Sequence, residues 1–249
     1  MEIKVSVIMP TYNNGRYIHK AIDSVLSQNV ELELIIVDDA STDETERVLQ
    51  KYMELDNIVY VKNEKNCGVA ESRNIGTSLA QGEYVAFLDA DDWWEPQKLQ
   101  KQLDALKQSK EVLCCTGRAL YDDQGNSLGK YLGVKSKITY KELLYKNSIA
   151  CSSVLMPIAI AREFPMCEDR YHEDYIMWLS ILKKYDTVIG LNEPLLNTRL
   201  SEGGKSRNKI KSVKMTYGVF RYIGYSKITA TLILLRYEAN TLIKYVRKS

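Results

Sequence analysis

Over its first 116 residues the chain alternates short apolar runs with amphipathic stretches, and few folds accept that rhythm. Val5–Met9, Leu34–Val37, Ile58–Val61, Tyr84–Leu88 and Val112–Thr116 are nearly unbroken runs of strand-forming residues, as expected of strands covered on both faces. Between the first two, Ile18, Ala21, Ile22, Val25 and Leu26 recur at i, i+3, i+4, i+7 and i+8, which is one face of a helix. Ser41-Thr42-Asp43-Glu44 spells a capping box and is expected to start a second helix, with Val48, Leu49 and Tyr52 facing inward. Val69–Ala80 reads as a third helix. Pro96 suits the first turn of a fourth, whose buried stripe is Leu99, Leu103 and Leu106. Strands and helices in this alternation imply an α/β fold with a mostly parallel sheet flanked by helices.

After residue 117 the rhythm weakens. Tyr121 to Asn126 is turn chemistry, Tyr140–Tyr145 a short helix, Cys151–Met156 another strand and Tyr175–Lys184 a helix. No low-complexity linker precedes Gly203-Gly204. A core domain over 1–202 and a basic, helical C-terminal extension over 203–249 are therefore expected.

The net charge of +2 hides an asymmetry: from Gly203 to Ser249 there are 11 Lys and Arg against the single acid Glu238. The balance of the whole chain does not suit a nucleic-acid binder, and no nucleic-acid partner is expected. The five cysteines form no C-x-x-C pair, and the N-terminus enters a strand pattern without a leader, so a cytoplasmic protein with reduced thiols is expected. Ile228 to Leu235 is an eight-residue apolar run flanked by Lys227 and Arg236, far short of the roughly 20 residues a spanning helix needs. Two readings of the tail stay open. It packs on the domain, or it lies through 210–249 on the anionic inner face of the cell membrane, with Phe220, Leu242, Ile243 and Val246 apolar and Lys244, Arg247 and Lys248 on its polar face.

Ligands of open α/β sheets sit beyond the carboxyl ends of the strands. Four loops fall there: Pro10 to Gly15, Asp38 to Asp43, Asn66 to Val69 and the turn Asp89-Ala90-Asp91-Asp92. Three carboxylates in four residues repel one another unless a cation sits between them, and a hard divalent ion takes one or two carboxylates plus substrate phosphates. Asp at a helix start also favours the helix dipole, and Asp92 in particular could cap the helix that follows. Asp38-Asp39 ends a buried run, where a hydrogen-bonded ligand is an economical partner. Glu173-Asp174 opens a helix and could either favour its dipole or supply a general base. With only His19 and His172 there is no histidine metal cage, and neither G-x-G-x-x-G nor a P-loop is present.

In order along the chain, Val5 to Asn13, Ile36 to Asp43, Asn66 through Gly68-Val69-Ala70 to Arg73-Asn74, Gly82 to Asp92, and His172-Glu173-Asp174 with Trp178 resemble the motifs of family 2 glycosyltransferases with the GT-A fold. The resemblance spans residues 3 to 178. It implies inverting transfer from a nucleotide-diphosphate sugar, usually a UDP-sugar, to a hydroxyl of a glycan or lipid-linked saccharide in bacterial surface polysaccharide synthesis. By matching position, Pro10, Thr11 and Tyr12 line the nucleotide pocket, Asp39 meets the base or ribose, and Arg73 lies near the diphosphate. Asp89 and Asp91 are the D-x-D pair for Mn²⁺ or Mg²⁺, with Asp89 also on the donor, and Asp174 is the base. One departure stands out: many bacterial relatives carry Tyr-Arg-x-His-x-x-Ser where this chain reads Asn197 to Ser206, so Arg199 is kept while Ser201 takes the histidine's place. Arg199 and Lys205 are the expected phosphate contacts of that loop. A catalytically silent nucleotide-sugar-binding protein and a sugar nucleotidyltransferase are the competing readings.

Overall fold

In the computed structural model, residues 3–167, 169–200 and 209–246 are described. The chain runs β1 (Val5–Thr11), α1 (Ile18–Leu26), β2 (Leu32–Asp38), α2 (Thr45–Leu49), β3 (Ile58–Lys62), α3 (Val69–Leu79), β4 (Tyr84–Phe87), β5 (Trp93–Trp94) and α4 (Lys98–Lys107). It continues through β6 (Cys114–Tyr121), β7 (Ser127–Leu132), β8 (Lys137–Thr139), α5 (Tyr140–Tyr145), β9 (Leu155–Pro157), α6 (Ile158–Glu163), α7 (Glu173–Tyr185), β10 (Thr187–Arg199), α8 (Lys209–Tyr222) and α9 (Lys227–Val246).

One sheet holds the fold, in the order β3-β2-β1-β4-β9-β6-β10-β5. Its first four strands are parallel, and β6 and β10 are parallel to each other, while β9 and β5 run against their neighbours. Every residue of β1 and β2 is buried, which explains why both read as unbroken runs rather than as alternating ones. Alternation persists in what each side chain meets. Val5, Val7 and Met9 share one core with α1 and α4, whereas Ile8, Val85 and Phe87 face the other core with α7 and the C-terminal helices.

Three expectations are corrected. The capping box at Ser41 does not form: α2 starts at Thr45, and Asp43 instead accepts from the Thr45 N–H (3.0 Å) and the Gly15 N–H (3.1 Å), while Ser41 Oγ is taken by the Asn13 N–H (3.0 Å). The loop needs those polar groups to join its neighbour, and that outweighs a cap. Cys151–Ser153 is a 3₁₀ turn rather than the start of a strand, with the Ser153 N–H on Ala150 O, so β9 is only Leu155–Pro157. Pro96 lies ahead of α4, because Trp93-Trp94 first pairs with β10 as an edge strand. The capping box that does form is Thr139 with Glu142 at α5.

The helical tail packs on the domain. Phe220 is fully buried, in edge contact with Tyr175 and Tyr237, which corrects its placement on an outward-facing surface. The expected boundary at 202 and Ser201 to Lys205, like the side chains of Leu242, Ile243, Lys244, Val246, Arg247 and Lys248, lie outside the described residues.

Helix α3 approaches β1 closely at Gly76, where a Cβ would fall 2.5 Å from Ile8 Cγ2. Overpacking of this kind costs about 1–3 kcal/mol. Gly76→Val is therefore expected to lower unfolding stability by roughly that amount in urea titration, with Arg73 on the same helix displaced from its partners.

Candidate active site

The carboxyl ends of β1, β2, β4, β6 and β10 meet at one edge of the sheet. Strand register sets the levels: Thr11 pairs with Asp38 in parallel, and Leu155 of the antiparallel β9 lies opposite both Ala86 and Cys114. Four residues further along β6, Arg118 therefore comes level with Ala90, in the acidic turn. The loops after β1 and β2 are bound to each other. Asp39 N–H donates to Thr11 O (2.8 Å), and Asn13 Oδ1 accepts from the Thr42 N–H (2.8 Å). Asn13 and Ala40 hold left-handed backbone, with φ of 53° and 64°. For alanine that conformation costs about 1–2 kcal/mol, and such strain persists only where the surroundings enforce it.

Asp38 is satisfied internally, by the Ser41 N–H (2.8 Å) and the Tyr60 hydroxyl (3.0 Å). Asp39 gathers the loop after β3, accepting from Asn63 Nδ2, the Cys67 N–H and the Gly68 N–H, each at 2.8 Å. Three bonds leave one acceptor direction on its Oδ2. Thr11 is buried with its hydroxyl unpartnered among the described residues, and Tyr12 stands half exposed beside it. Pro10 occupies the end of β1 rather than the loop.

At the centre is Arg73. Its side chain is buried and its two terminal nitrogens reach opposite ways, Nη2 to Asp89 Oδ1 at 2.6 Å and Nη1 to Glu173 Oε1 at 2.8 Å. Asn74 beside it makes a two-way clamp on the Met166 backbone, Nδ2 to O at 2.9 Å and Oδ1 from N–H at 3.0 Å. Asp169, from the segment that Asn74 holds, caps α3 through the N–H groups of Val69 (2.8 Å) and Ala70 (2.9 Å). The packing is close: at Gly68, with φ of 93°, a Cβ would meet Asp169 Oδ2 at 2.0 Å. In this way α3 holds the acidic turn on one side and the start of α7 on the other.

Asp174 is half-buried next to Glu173, and burial, followed by the Glu173 charge, pushes its carboxyl up to about 7. Asp92 does not cap a helix. It is buried, its Oδ1 accepts from the Arg199 N–H at 3.0 Å, and burial together with the Asp91 and Asp89 charges raises it well above the carboxylate range. Arg199 braces the same turn through Nε on Asp91 O (3.1 Å) and Nη1 on Asp123 O (2.7 Å), with its guanidinium over the rings of Tyr17 and Trp93. Asp89 and Asp91 are both half-buried at the surface of the site. No cluster of three or more metal-ligating side chains occurs among the described residues. Two carboxylates that need substrate phosphates to complete a shell would form none, and the Asp91 and Asp89 charges that add to burial in raising Asp92 are a repulsion that a bound cation would relieve.

Sequence reasoning missed Asn74 as a clamp, Asp169 as a cap and Arg118 as a cation at the site. Arg118 is partly buried within the fields of Asp92 and Asp174. A lone Arg in a strand and an Asp 100 residues from the helix it caps carry no local signal.

The family model described as Glycosyl transferase family 2 matches residues 6–157. The Bacillus subtilis (strain 168) glycosyltransferase TuaG, named for teichuronic acid biosynthesis, is 38% identical over 243 residues, covering 96% of each chain. The Escherichia coli UDP-Glc:alpha-D-GlcNAc-diphosphoundecaprenol beta-1,3-glucosyltransferase WfaP is 31% identical over 246 residues, covering 97% of this chain and 95% of its own. Among solved structures, Staphylococcus aureus TarS 1–349 in complex with UDP-GlcNAc superposes with a TM-score of 0.73 at 20% identity, over 94% of this chain and 71% of that one. A Pyrobaculum calidifontis mannosyltransferase in complex with GDP-Man and Mn²⁺ gives 0.68 at 18% identity, over 95% and 69%. At these identities the two structures establish the GT-A fold.

Asp174 has a consequence for stability. Its folded value near 7 exceeds the unfolded value of about 3.9, so the folded chain binds the extra proton and stability falls as pH rises between the two. Asp174→Asn removes that loss. Its Tm relative to the native chain is expected to be higher at about pH 8 than at about pH 5 by differential scanning calorimetry; a constant difference would show that Asp174 is not held near 7.

Proposed function

The chain belongs to glycosyl transferase family 2, and from that premise we propose that it transfers a sugar, with inversion, from a UDP-sugar to a hydroxyl of a lipid-linked or growing bacterial surface saccharide. The observation that carries this is the double salt bridge of Arg73, which ties Asp89 of the acidic turn to Glu173 beside Asp174. On this reading the groups that bind donor and accept the proton are held against one another by that ion pair. UDP-GlcNAc in the TarS complex and the diphosphoundecaprenol acceptor in WfaP's name support the choice of donor and acceptor class.

The nucleotide lies along Pro10, Thr11 and Tyr12, with the open direction of Asp39 Oδ2 meeting the base or ribose. Asp89 and Asp91 would hold the Mn²⁺ or Mg²⁺, whose contribution when bound is to stabilise charge on the departing diphosphate. Arg118 adds a fixed cation at the level of the turn. Arg199 serves the donor indirectly, by fixing the Asp91 carbonyl and, through its own N–H, the Asp92 carboxyl. Asp174 takes the proton of the acceptor hydroxyl as that oxygen attacks the anomeric carbon opposite the leaving group, so the bond to the diphosphate breaks as the new glycosidic bond forms. A carboxyl held near 7 suits this step, because a base works best near the operating pH.

Asp91→Ala is expected to abolish metal-stimulated UDP-sugar turnover while leaving the circular dichroism spectrum unchanged; turnover at the native rate would remove the metal assignment. Asp174→Asn should bind donor normally and transfer about 10²–10⁴-fold more slowly, as measured by UDP release. For the native enzyme kcat/KM should rise with pH and level off above about 7, the value of Asp174, because the deprotonated form is the active one.

A further inference from the structure

The C-terminal helices use only part of their surface against the domain. On α9, Ala230 and Ile233 are buried, and Tyr237 packs with Phe220 and Tyr175. On the opposite side, at i, i+4 and i+7, Ile228, Leu232 and Leu235 are 77%, 62% and 63% exposed, and Ala239 extends the row. An outward row of large aliphatic side chains on a helix that is already packed marks an interaction surface. Neighbouring α8 also exposes apolar side chains, Ile210 at 73% and Tyr222 at 58%. Lys214, Arg221 and Lys227 stand exposed around them.

Charge selects the occupant. The segment 203–249 carries 11 Lys and Arg and one acid, so a second copy docked two-fold through the same face would bring like charge against like. An anionic bilayer complements both the cations and the aliphatic row. No helix among the described residues is long and apolar enough to cross a membrane. An amphipathic pair can instead lie along the interface.

We propose that the α8–α9 hairpin is an in-plane anchor that sets Ile228, Leu232 and Leu235 into the surface of an anionic lipid bilayer. The anchor is coupled to the site. Gly218 of α8 lies so close to Tyr171 that a Cβ would fall 2.1 Å from the ring, and Ser212 Oγ is 3.5 Å from His172 Nε2. Tyr171-His172 leads directly into Glu173-Asp174. Docking therefore holds the proton acceptor at a fixed height above the membrane, where the saccharide of a lipid-linked acceptor is presented. That purpose rests on the proposed acceptor class, whereas the docking can be measured without donor, metal or turnover.

The test is co-sedimentation of the full chain with vesicles of phosphatidylcholine alone and with vesicles rich in phosphatidylglycerol, alongside a Leu232→Ser/Leu235→Ser variant shown to be folded by its Tm. Binding is expected only to the anionic vesicles, weakening with added salt, and the variant should bind about tenfold or more weakly, since two aliphatic side chains leave the interface. Equal binding of variant and native chain, equal binding to both vesicle types, or no binding would each overturn the proposal. So would a dimer in analytical ultracentrifugation that the double substitution dissolves, because the row would then be covered by a second copy. A negative result here leaves the Asp91 and Asp174 assignments standing, and their failure leaves the anchor standing.

Discussion

A buried guanidinium between two carboxylates organises this molecule. Arg73 cannot lose its charge in a protein, and at 3% exposure it has no water to compensate it. Its stability therefore depends on Asp89 and Glu173 being where they are. Removing the buried partner Glu173 would typically cost about 3–5 kcal/mol, because the remaining charge is stranded. The elements that carry the three residues, α3, the turn after β4 and the start of α7, are tied by a requirement independent of any ligand. The site is preorganised because the fold needs it to be.

Around that centre the same logic recurs at smaller scale. Asn74 fixes the Met166 backbone and Asp169 caps α3, so the segment leading into Glu173-Asp174 is anchored before the helix begins. On the far side, Arg199 and the buried Asp92 hold the acidic turn by its backbone. Asp89, held by Arg73, and Asp91 stand half-buried at the surface of the site. In the proposed transfer, fixed polar groups around the reacting centre would avoid reorganisation when charge develops.

Much of this was legible in the sequence. The parallel half of the sheet announced itself because β1 and β2 are buried on both faces and so read as unbroken apolar runs. The acidic turn and Asp174 stood out because carboxylates at strand and helix ends are locally conspicuous. The errors have a common cause. Local rules of capping and strand propensity point to a cap at Ser41 and a strand at Cys151–Met156, and in each case a partner distant in sequence decides the outcome: Asn13 for Ser41, and Asp89, whose N–H donates to Ser152 Oγ, for the 3₁₀ turn at Cys151; of the roles open to Asp92, the Arg199 amide removes the helix cap. Arg118 and Asp169 gave no sign at all, since only strand register and tertiary packing bring them to the site. The C-terminal run from Ile228 to Leu235 leaves packing on the domain and docking on a surface both open, and the helix divides it between a buried face and an exposed one.

In the proposed reaction Asp89 and Asp91 hold a divalent ion only when a donor diphosphate supplies the remaining oxygens. Electron paramagnetic resonance of Mn²⁺ titrated with the native chain, with and without UDP, measures this directly. The chain alone is expected to bind Mn²⁺ weakly, and chain and UDP together to capture it more strongly than UDP does by itself. Equal Mn²⁺ binding with and without UDP, or a UDP complex whose affinity the chain does not change, would contradict it.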